Sequence, residues 1–352
     1  MIIREATPED NQTLQQLQAR CPMGTSLVVS TVNTPDFFSR AKAYEWYRVY
    51  VAVEGDEIIG SAACATRDAL VNDEKVRAGY AFQYFTAPDH RHQGVATRLH
   101  QQVEEALEKR GAVLVYLVAI EGNTPAMTLF EEMGFTRLRT FTMPSLVVYQ
   151  EMDVDPAAGA IRPAQADELE RIADLTNATW QEAQLYEPLS AERLALFIER
   201  TPALSLDDFL VLERDGELLA CAGCWDWSQI TRLTVISLAW KMKLINLGLD
   251  LVSLLRPMPD PIRAGDTLEQ LALTKVGFRH PRHLHTLLTH VNNRCLERDL
   301  GQIFLVCEPD HPLLDHLDGF IHIDTGVHLY VKALSPGLEI GPGPVFLDGV
   351  DM

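Results

Sequence analysis

Arg91-His92-Gln93-Gly94-Val95-Ala96 is the stretch of this chain whose residue types and spacing could do chemistry with little help from elsewhere. It lies between a strand-like run, residues 79–87, and a run with helical periodicity through Val95, Leu99, Val103, Ala106 and Leu107. A strand that turns directly into a helix leaves backbone N–H groups unpaired, with the positive end of the helix dipole behind them. Such a corner binds phosphate through the main chain. Gly94 removes the Cβ that would hold a ligand away from the backbone, and Ala96 keeps the next turn slim. Arg91 adds a permanent charge suited to a diphosphate. His90 and His92 flank it and read as solvated loop residues.

Two other groups of residues could suggest chemistry of a different kind. Cys221-Ala-Gly-Cys224 is a C-x-x-C, and His280, His283, His285 and His290 lie close together. A structural zinc site needs a second such pair in a compact module, and the histidines lie some sixty residues from the cysteines. The cysteines also fall inside an expected strand, so no metal is expected. The remaining cysteines, Cys21, Cys64, Cys295 and Cys307, are scattered and read as reduced core residues.

The elements around the loop follow a definite order. Thr86-Ala87-Pro88 precedes it, residues 113–120 form a second strand, and Asn123-Thr-Pro-Ala126 opens a short helix that ends at Met133-Gly134-Phe135. This order, with an R-x-x-G-x-A loop, resembles the GNAT N-acetyltransferase superfamily over about residues 1–150. The resemblance implies acetyl-CoA as cosubstrate, lying across the splayed ends of the two strands. It implies contacts from Phe85, Thr86, Arg91, His92, Gln93, Gly94, Val95, Ala96, Thr97, Asn123 and Phe130. A backbone N–H near Thr86 would stabilise the oxyanion formed when an amine attacks the thioester. In many members a Tyr on the Asn-led helix protonates the departing thiolate; here Phe130 holds that position and cannot. Tyr84, which shares a face with Thr86 by the period of two, is the first candidate in its place, with Tyr80 behind it. Packing in the sheet is the alternative role for both.

The pattern then starts again. Ile161-Arg-Pro-Ala parallels Ile3-Arg-Glu-Ala, and residues 209–221, with an Asp215-Gly216 turn, repeat the hairpin of residues 50–61. Asp153-Val-Asp-Pro-Ala-Ala-Gly reads as the linker. The expected architecture is α+β (α/β): two tandem GNAT-like domains, each a mixed, mostly antiparallel sheet flanked by helices. The first spans 1–152, a degenerate second copy spans 159–335, and 336–352 is a Gly/Pro-rich tail. In a gap-free frame Arg279 to Leu284 falls on Arg91 to Ala96. There Pro281 lacks an N–H, Arg282 replaces the glycine and Leu284 widens the helix start, so the second copy is expected to bind no CoA.

Length and composition fit this reading. The 352 residues suffice for two cores, and 47% hydrophobic with 22% charged is a globular balance. No signal peptide is readable at the N-terminus, and the most apolar stretch, 235–255, carries Lys241, Lys243 and Asp250. A cytoplasmic protein with no membrane partner is expected. Residues 1–150 hold 18 acids against 14 bases, the rest 31 against 16, which disfavours nucleic acid. A helix over 238–255, apolar on two faces, is expected to be buried between the domains, or else to wall a substrate cleft or make a dimer contact. The expected partner is a small-molecule amine. The rival readings are a CoA-binding sensor or scaffold without transfer, supported by Phe130, and a protein lysine or N-terminal acetyltransferase.

Overall fold

The computed structural model describes residues 1–240, 242 and 258–352. The first half runs β1 (Ile2–Glu5), α1 (Asn11–Ala19), β2 (Leu27–Asn33), β3 (Trp46–Glu54), β4 (Glu57–Val71), β5 (Glu74–Thr86), α2 (Val95–Lys109), β6 (Leu114–Ile120), α3 (Thr124–Glu132) and β7 (Thr136–Val147). The second runs β8 (Ala160–Pro163), α4 (Leu169–Trp180), α5 (Ala191–Arg200), β9 (Phe209–Arg214), β10 (Glu217–Asp226) and β11 (Thr231–Leu238). It continues through β12 (Gln270–Phe278), α6 (Pro281–Glu297), β13 (Gln302–Phe304) and β14 (His322–Ala333). Of the helix expected over 238–255, Leu238 ends β11, and residues 241 and 243–257 lie outside the described residues.

Local chemistry explains the hairpins. Asn72 and Asp73 both have positive φ between Val71 and Glu74, and Asp215 and Gly216 do the same between Arg214 and Glu217. Two left-handed residues make the turn whose twist matches paired strands.

The two halves form one sheet of twelve described strands, ordered β1-β3-β4-β5-β6-β14-β7-β13-β12-β10-β9-β8. The order is its own mirror image once β7 and β14 are exchanged. β14, from the end of the chain, pairs antiparallel with β6 through Val327–Ile120 to Ala333–Leu114. β7 pairs with β13 on its far side. Each copy therefore completes its sheet with the other's last strand, and the two cannot separate without breaking both. The two parallel pairs, β5 with β6 and β12 with β13, occupy matching places; every other pair is antiparallel.

α2 packs on β4 and β5 through Val95, Leu99, Val103 and Leu107, all at most 2% exposed. Glycines set how close it lies. A Cβ on Gly60 would stand 2.7 Å from Val95 Cγ1, and one on Gly79 2.6 Å from Leu107 Cδ1. In α6, Leu287, Val291 and Cys295 are buried at the corresponding spacing. The opposite face of the sheet carries a core cluster with residues from both halves, among them Leu14, Phe82, Phe85, Phe209, Trp225 and Phe304. The Gly/Pro-rich tail proves well anchored: Val345, Leu347 and Val350 belong to this core. Asp351 is fully buried, paired with Arg67 at 3.0 Å, and accepts from Tyr44 at 2.9 Å and Tyr116 at 3.1 Å.

Candidate acyl-CoA site

The loop after β5 has the features of an anion cradle. Gly94 caps α2 in the left-handed region at φ +76, and no side chain caps the helix there. A Cβ on Gly94 would meet nothing within 4 Å, so the space in front of the backbone is open. His92 is also left-handed, at φ +61, and alternating hand turns successive N–H groups toward one concavity. Gln93 closes the loop by donating from Nε2 to the Asp89 carbonyl at 3.0 Å. Residues 91–94 and Thr97 are exposed, Val95 is buried beneath the helix, and Ala96 lies between. These residues fit a diphosphate: several unpaired donors, a helix start and no Cβ in the way.

Arg91 does not lie over this concavity. Its Nε donates back to the Thr86 carbonyl at 3.4 Å, which also accepts from Cys21 Sγ at 3.3 Å. To reach a diphosphate the guanidinium must swing out from the strand end.

The strand that leads to the loop parts from its neighbour before reaching it. β5 and β6 pair only at Ala78–Leu114, Gly79–Val115 and Tyr80–Tyr116. Beyond that β6 stays with β14 and leaves β5, so the facing backbone groups of Ala81–Thr86 and Leu117–Ile120 have no strand partner across the gap. At the same level β5 bulges. Ser61 pairs with Phe85 and Ala63 with Phe82, so Ala62 faces both Gln83 and Tyr84, and Gln83 takes φ +53. A bulge turns one backbone N–H out of the ladder.

The bulge also sorts the side chains. Phe85 points to the inter-copy core, edge-on to Phe37 at 6.4 Å, so only its backbone lines the gap. Tyr84 points to the α2 side. Its hydroxyl lies 2.7 Å from His100 Nδ1; His100 Nε2 lies 3.0 Å from Glu104 Oε1, which Lys332 Nζ also holds at 2.5 Å. A carboxylate only accepts, so Nε2 carries the proton, Nδ1 is the acceptor and Tyr84 donates. Burial pushes the Tyr84 phenol well above the usual tyrosine range, with the Cys64 and Glu104 charges adding to it. Sequence periodicity gives no hint of this chain of bonds, because Lys332 comes from β14, the strand lent by the second copy. His100 and Glu104 carried one signal: polar residues four apart, His100 on the buried face of α2.

Phe130 is 5% exposed and packs edge-on to Tyr84 at 5.9 Å, with Phe135 at 6.2 Å and Tyr330 at 6.1 Å. It is the hydrophobic floor under Tyr84. Asn123 caps α3, accepting from the Ala126 N–H at 3.4 Å, which leaves its amide NH₂ for other partners. Tyr80 is fully enclosed, donating to the Asp351 carbonyl, and serves the anchored tail.

The second copy repeats the bulge but not the loop. Ala222 faces Lys275 and Val276, with Lys275 at φ +50, in the way Ala62 faces Gln83 and Tyr84. Arg279 N–H donates to the Leu219 carbonyl just as Ala87 N–H donates to Ile59. Arg279 thus stands where Ala87 stands, not Arg91, and the gap-free frame is corrected: the strand and helix frames differ by four residues. Only Arg279 and His280 separate β12 from α6, and His280 Nδ1 accepts from the Arg282 N–H at 3.2 Å. The connection is too short for a cradle, and its helix start is capped from within. Asp348 of the tail fills the matching bulge, held by Thr274 Oγ1 at 2.5 Å and by Lys275 N and Nζ at 3.4 and 3.1 Å.

The core-facing side of the first bulge is roofed by the second copy. β2 pairs with β11, and the hydrogen bonds run from Gln83 Nε2 to Asn33 Oδ1 at 3.2 Å and from Asn33 Nδ2 to Thr231 Oγ1 at 3.5 Å. Arg40 lies 5.3 Å over the Phe82 ring and 5.8 Å over that of Trp227. Gln83 Oε1, Arg40 Nε and Trp227 Nε1 are all buried without a partner among the described residues. Cys221 and Cys224 are buried in β10, all six cysteines are unpaired, and among the described residues no group of His, Cys, Asp or Glu is placed to hold a metal. No described helix is long and apolar enough to cross a membrane.

Comparison with known proteins agrees with this geometry. The acetyltransferase (GNAT) family model matches residues 12–135. N-alpha-acetyltransferase 30 of Schizosaccharomyces pombe is 30% identical over 90 residues, 26% of this chain and 58% of that protein. The chain thus matches little more than half the length of this curated relative. Among solved structures, N-myristoyltransferase of Saccharomyces cerevisiae with bound myristoyl-CoA superposes with a TM-score of 0.64 at 11% identity, over 96% of this chain and 85% of that one. A GCN5-related N-acetyltransferase from Sphaerobacter thermophilus superposes with 0.56 at 17%, over 96% and 97%. At these identities the solved structures speak for the fold. The splay, the bulge and the loop all fall within the matched residues, and this segment is an acetyltransferase domain of the GNAT family, followed by a second GNAT-like copy.

Proposed function

We propose that the chain is an acetyl-CoA-dependent N-acyltransferase with one working site, in the first copy, and a small polar amine as acceptor. The observation that carries acyl transfer is the coincidence of splay, bulge and open cradle on one strand, β5. The cosubstrate supplies the thioester. The unpaired edges of β5 and β6 hold its pantetheine arm, the loop N–H groups of His92 to Ala96 hold the diphosphate, and Asn123 offers its free amide NH₂. The N–H turned out by the bulge stabilises the oxyanion.

Tyr84 faces the leaving sulfur. A phenol held well above its usual range donates uphill to a thiolate whose thiol titrates at about 8.5. Tyr84 therefore stabilises the thiolate by a hydrogen bond. The hydroxyl proton, given to His100 Nδ1 in the resting structure, turns toward the sulfur as its charge develops, and no proton changes owner. Glu104 and Lys332 keep the imidazole in place.

The roofed acceptor side favours a small amine. Buried polar atoms left without partners are costly, at roughly 1–3 kcal/mol each. Gln83 Oε1 accepts from an amine N–H, while Arg40 Nε and Trp227 Nε1 donate to acceptor oxygens. A second reading, transfer to a peptide N-terminus, is favoured by the kinship to an N-alpha-acetyltransferase. Release of CoA from acetyl-CoA, followed against amino sugars, amino acids and polyamines on one side and N-terminal peptides on the other, decides between them. Turnover confined to peptides refutes the small acceptor, and no turnover with any amine refutes transfer in favour of a CoA-binding sensor.

A further inference from the structure

Where the two copies meet lies a cavity of ≈150 Å³, apart from the acyl-CoA site. Its walls carry six cations: Arg67, Arg77 and Arg110 from the first copy, Arg193, Arg200 and Lys275 from the second. In a chain of net charge −19 this is an uncommon concentration. Four of the six are answered. Arg67 pairs with Asp351 at 3.0 Å and Lys275 with Asp348 at 3.1 Å. Arg77 and Arg193 share Asp68, and Arg193 reaches Glu187 at 3.2 Å.

Arg200 and Arg110 have no ion pair among the described residues. Arg200 gives only its Nε, to the Ala43 carbonyl at 2.8 Å, and its guanidinium lies 5.7 Å over the Phe197 ring. Burial, with Arg193 adding to it, holds Arg200 below the usual guanidinium range despite Glu187 and Glu45. Arg110 is exposed and lies 5.2 Å over Trp46. Arg67, whose side chain is 5% exposed, keeps a buried Nε without a partner among the described residues. Against these donors the wall offers one further acid, Glu45.

A guanidinium that is partly desolvated and unpaired is stabilised by a planar or tetrahedral oxyanion, which accepts two parallel N–H bonds. The cavity has room for several waters or one such group. Its place in the repeat is informative. Lys275 in its wall is the counterpart of Gln83, so the cavity adjoins the second copy's former transfer point, whose bulge Asp348 now fills. We propose that this cavity binds a small oxyanion, a carboxylate or a phosphate, held between the copies by Arg200 and Arg110 and left chemically unchanged. The site does not depend on the acyl-transfer reading.

The test uses the full chain, with inorganic phosphate and glutarate as probes, in thermal-shift and calorimetric titrations. Phosphate also has access to the Arg91–Thr97 cradle, so the titrations are run on Gly94→Asp, in which that cradle is blocked. The expected result is a saturable rise in Tm with at least one probe. Arg200→Gln on the same background weakens it at least tenfold, Arg110→Gln weakens it less, and Arg200→Gln alone leaves acetyl-CoA affinity unchanged. A response to phosphate alone or to glutarate alone assigns the source of the oxyanion. Absence of a shift with both probes at tens of millimolar, or an equal shift with and without the Arg200 and Arg110 guanidinium groups, overturns the site. Arg110→Gln, at an exposed position, keeps the test decisive if Arg200→Gln folds poorly.

Discussion

Replacing Gly94 by Asp tests the cradle where the structure is most specific. The position is left-handed at φ +76 and faces open space, so the new Cβ meets no protein atom within 4 Å. Its cost to folding is the left-handed conformation, about 1 kcal/mol. Its cost to binding is electrostatic. A carboxylate about 5 Å from a phosphate charge, at an effective dielectric of roughly 40, is repelled by about 1.7 kcal/mol. Two phosphate charges give about 3 kcal/mol, or roughly 10²-fold in Kd. Gly94→Ala carries the same backbone strain without the charge and should lose no more than about tenfold, one steric contact of roughly 1 kcal/mol. Calorimetric titration with acetyl-CoA at two salt concentrations separates these effects. The Asp penalty should shrink as salt rises, because the site is exposed to solvent, whereas the Ala penalty should not. If Gly94→Asp binds acetyl-CoA as tightly as the unaltered chain, the diphosphate does not lie on this loop and the cofactor placement is wrong.

Tyr84→Phe should lower turnover by roughly 10²-fold with little change in acetyl-CoA affinity, the low end for one lost hydrogen bond to a developing charge; single-turnover kinetics with an unchanged rate would return Tyr84 to packing. Titration should reach one CoA per chain, since the second copy has two residues where the first has a loop, and two equivalents would refute the loss of its site. Glu168 is held near a pKa of about 2, chiefly by its hydrogen bonds from Arg162. A lowered folded value means the stabilisation is full above about pH 4.3 and is lost as pH falls toward 2. Glu168→Gln should therefore cost about 1–2 kcal/mol at neutral pH after solvent screening, and visibly less at pH 3, in urea melts. An equal loss at both pH values would show that the carboxylate charge is not what stabilises this corner.

Much of the first copy was legible because its signals are local. Gly94 is read from its neighbours, since a strand that turns directly into a helix favours a left-handed residue without a Cβ there. Asn123 is read as a cap three residues before an amide it can reach, and Asp215-Gly216 as a turn from its own backbone preferences. The repeat was legible too, because both copies need the same alternation in the same order. The four-residue shift in the second copy escaped, since a gap-free comparison aligns the buried rows of α2 and α6 correctly and carries the strand end with them into the wrong frame.

What only the tertiary structure decided involves partners far apart in sequence. Lys332 holds Glu104, and through it His100 and Tyr84, because β14 crosses into the first sheet. Periodicity gives each strand a buried face but does not name its neighbour, so the exchange of β7 and β14 left no local trace. Asp351 and Asp348 read as acids in a Gly/Pro-rich tail. Buried, each is stable only because cations and hydroxyls from β4, β6 and β12 converge on it. The sequence alone determined which backbone could hold a phosphate; the fold decided which side chains surround the reacting atoms, because that depends on which strands lie side by side.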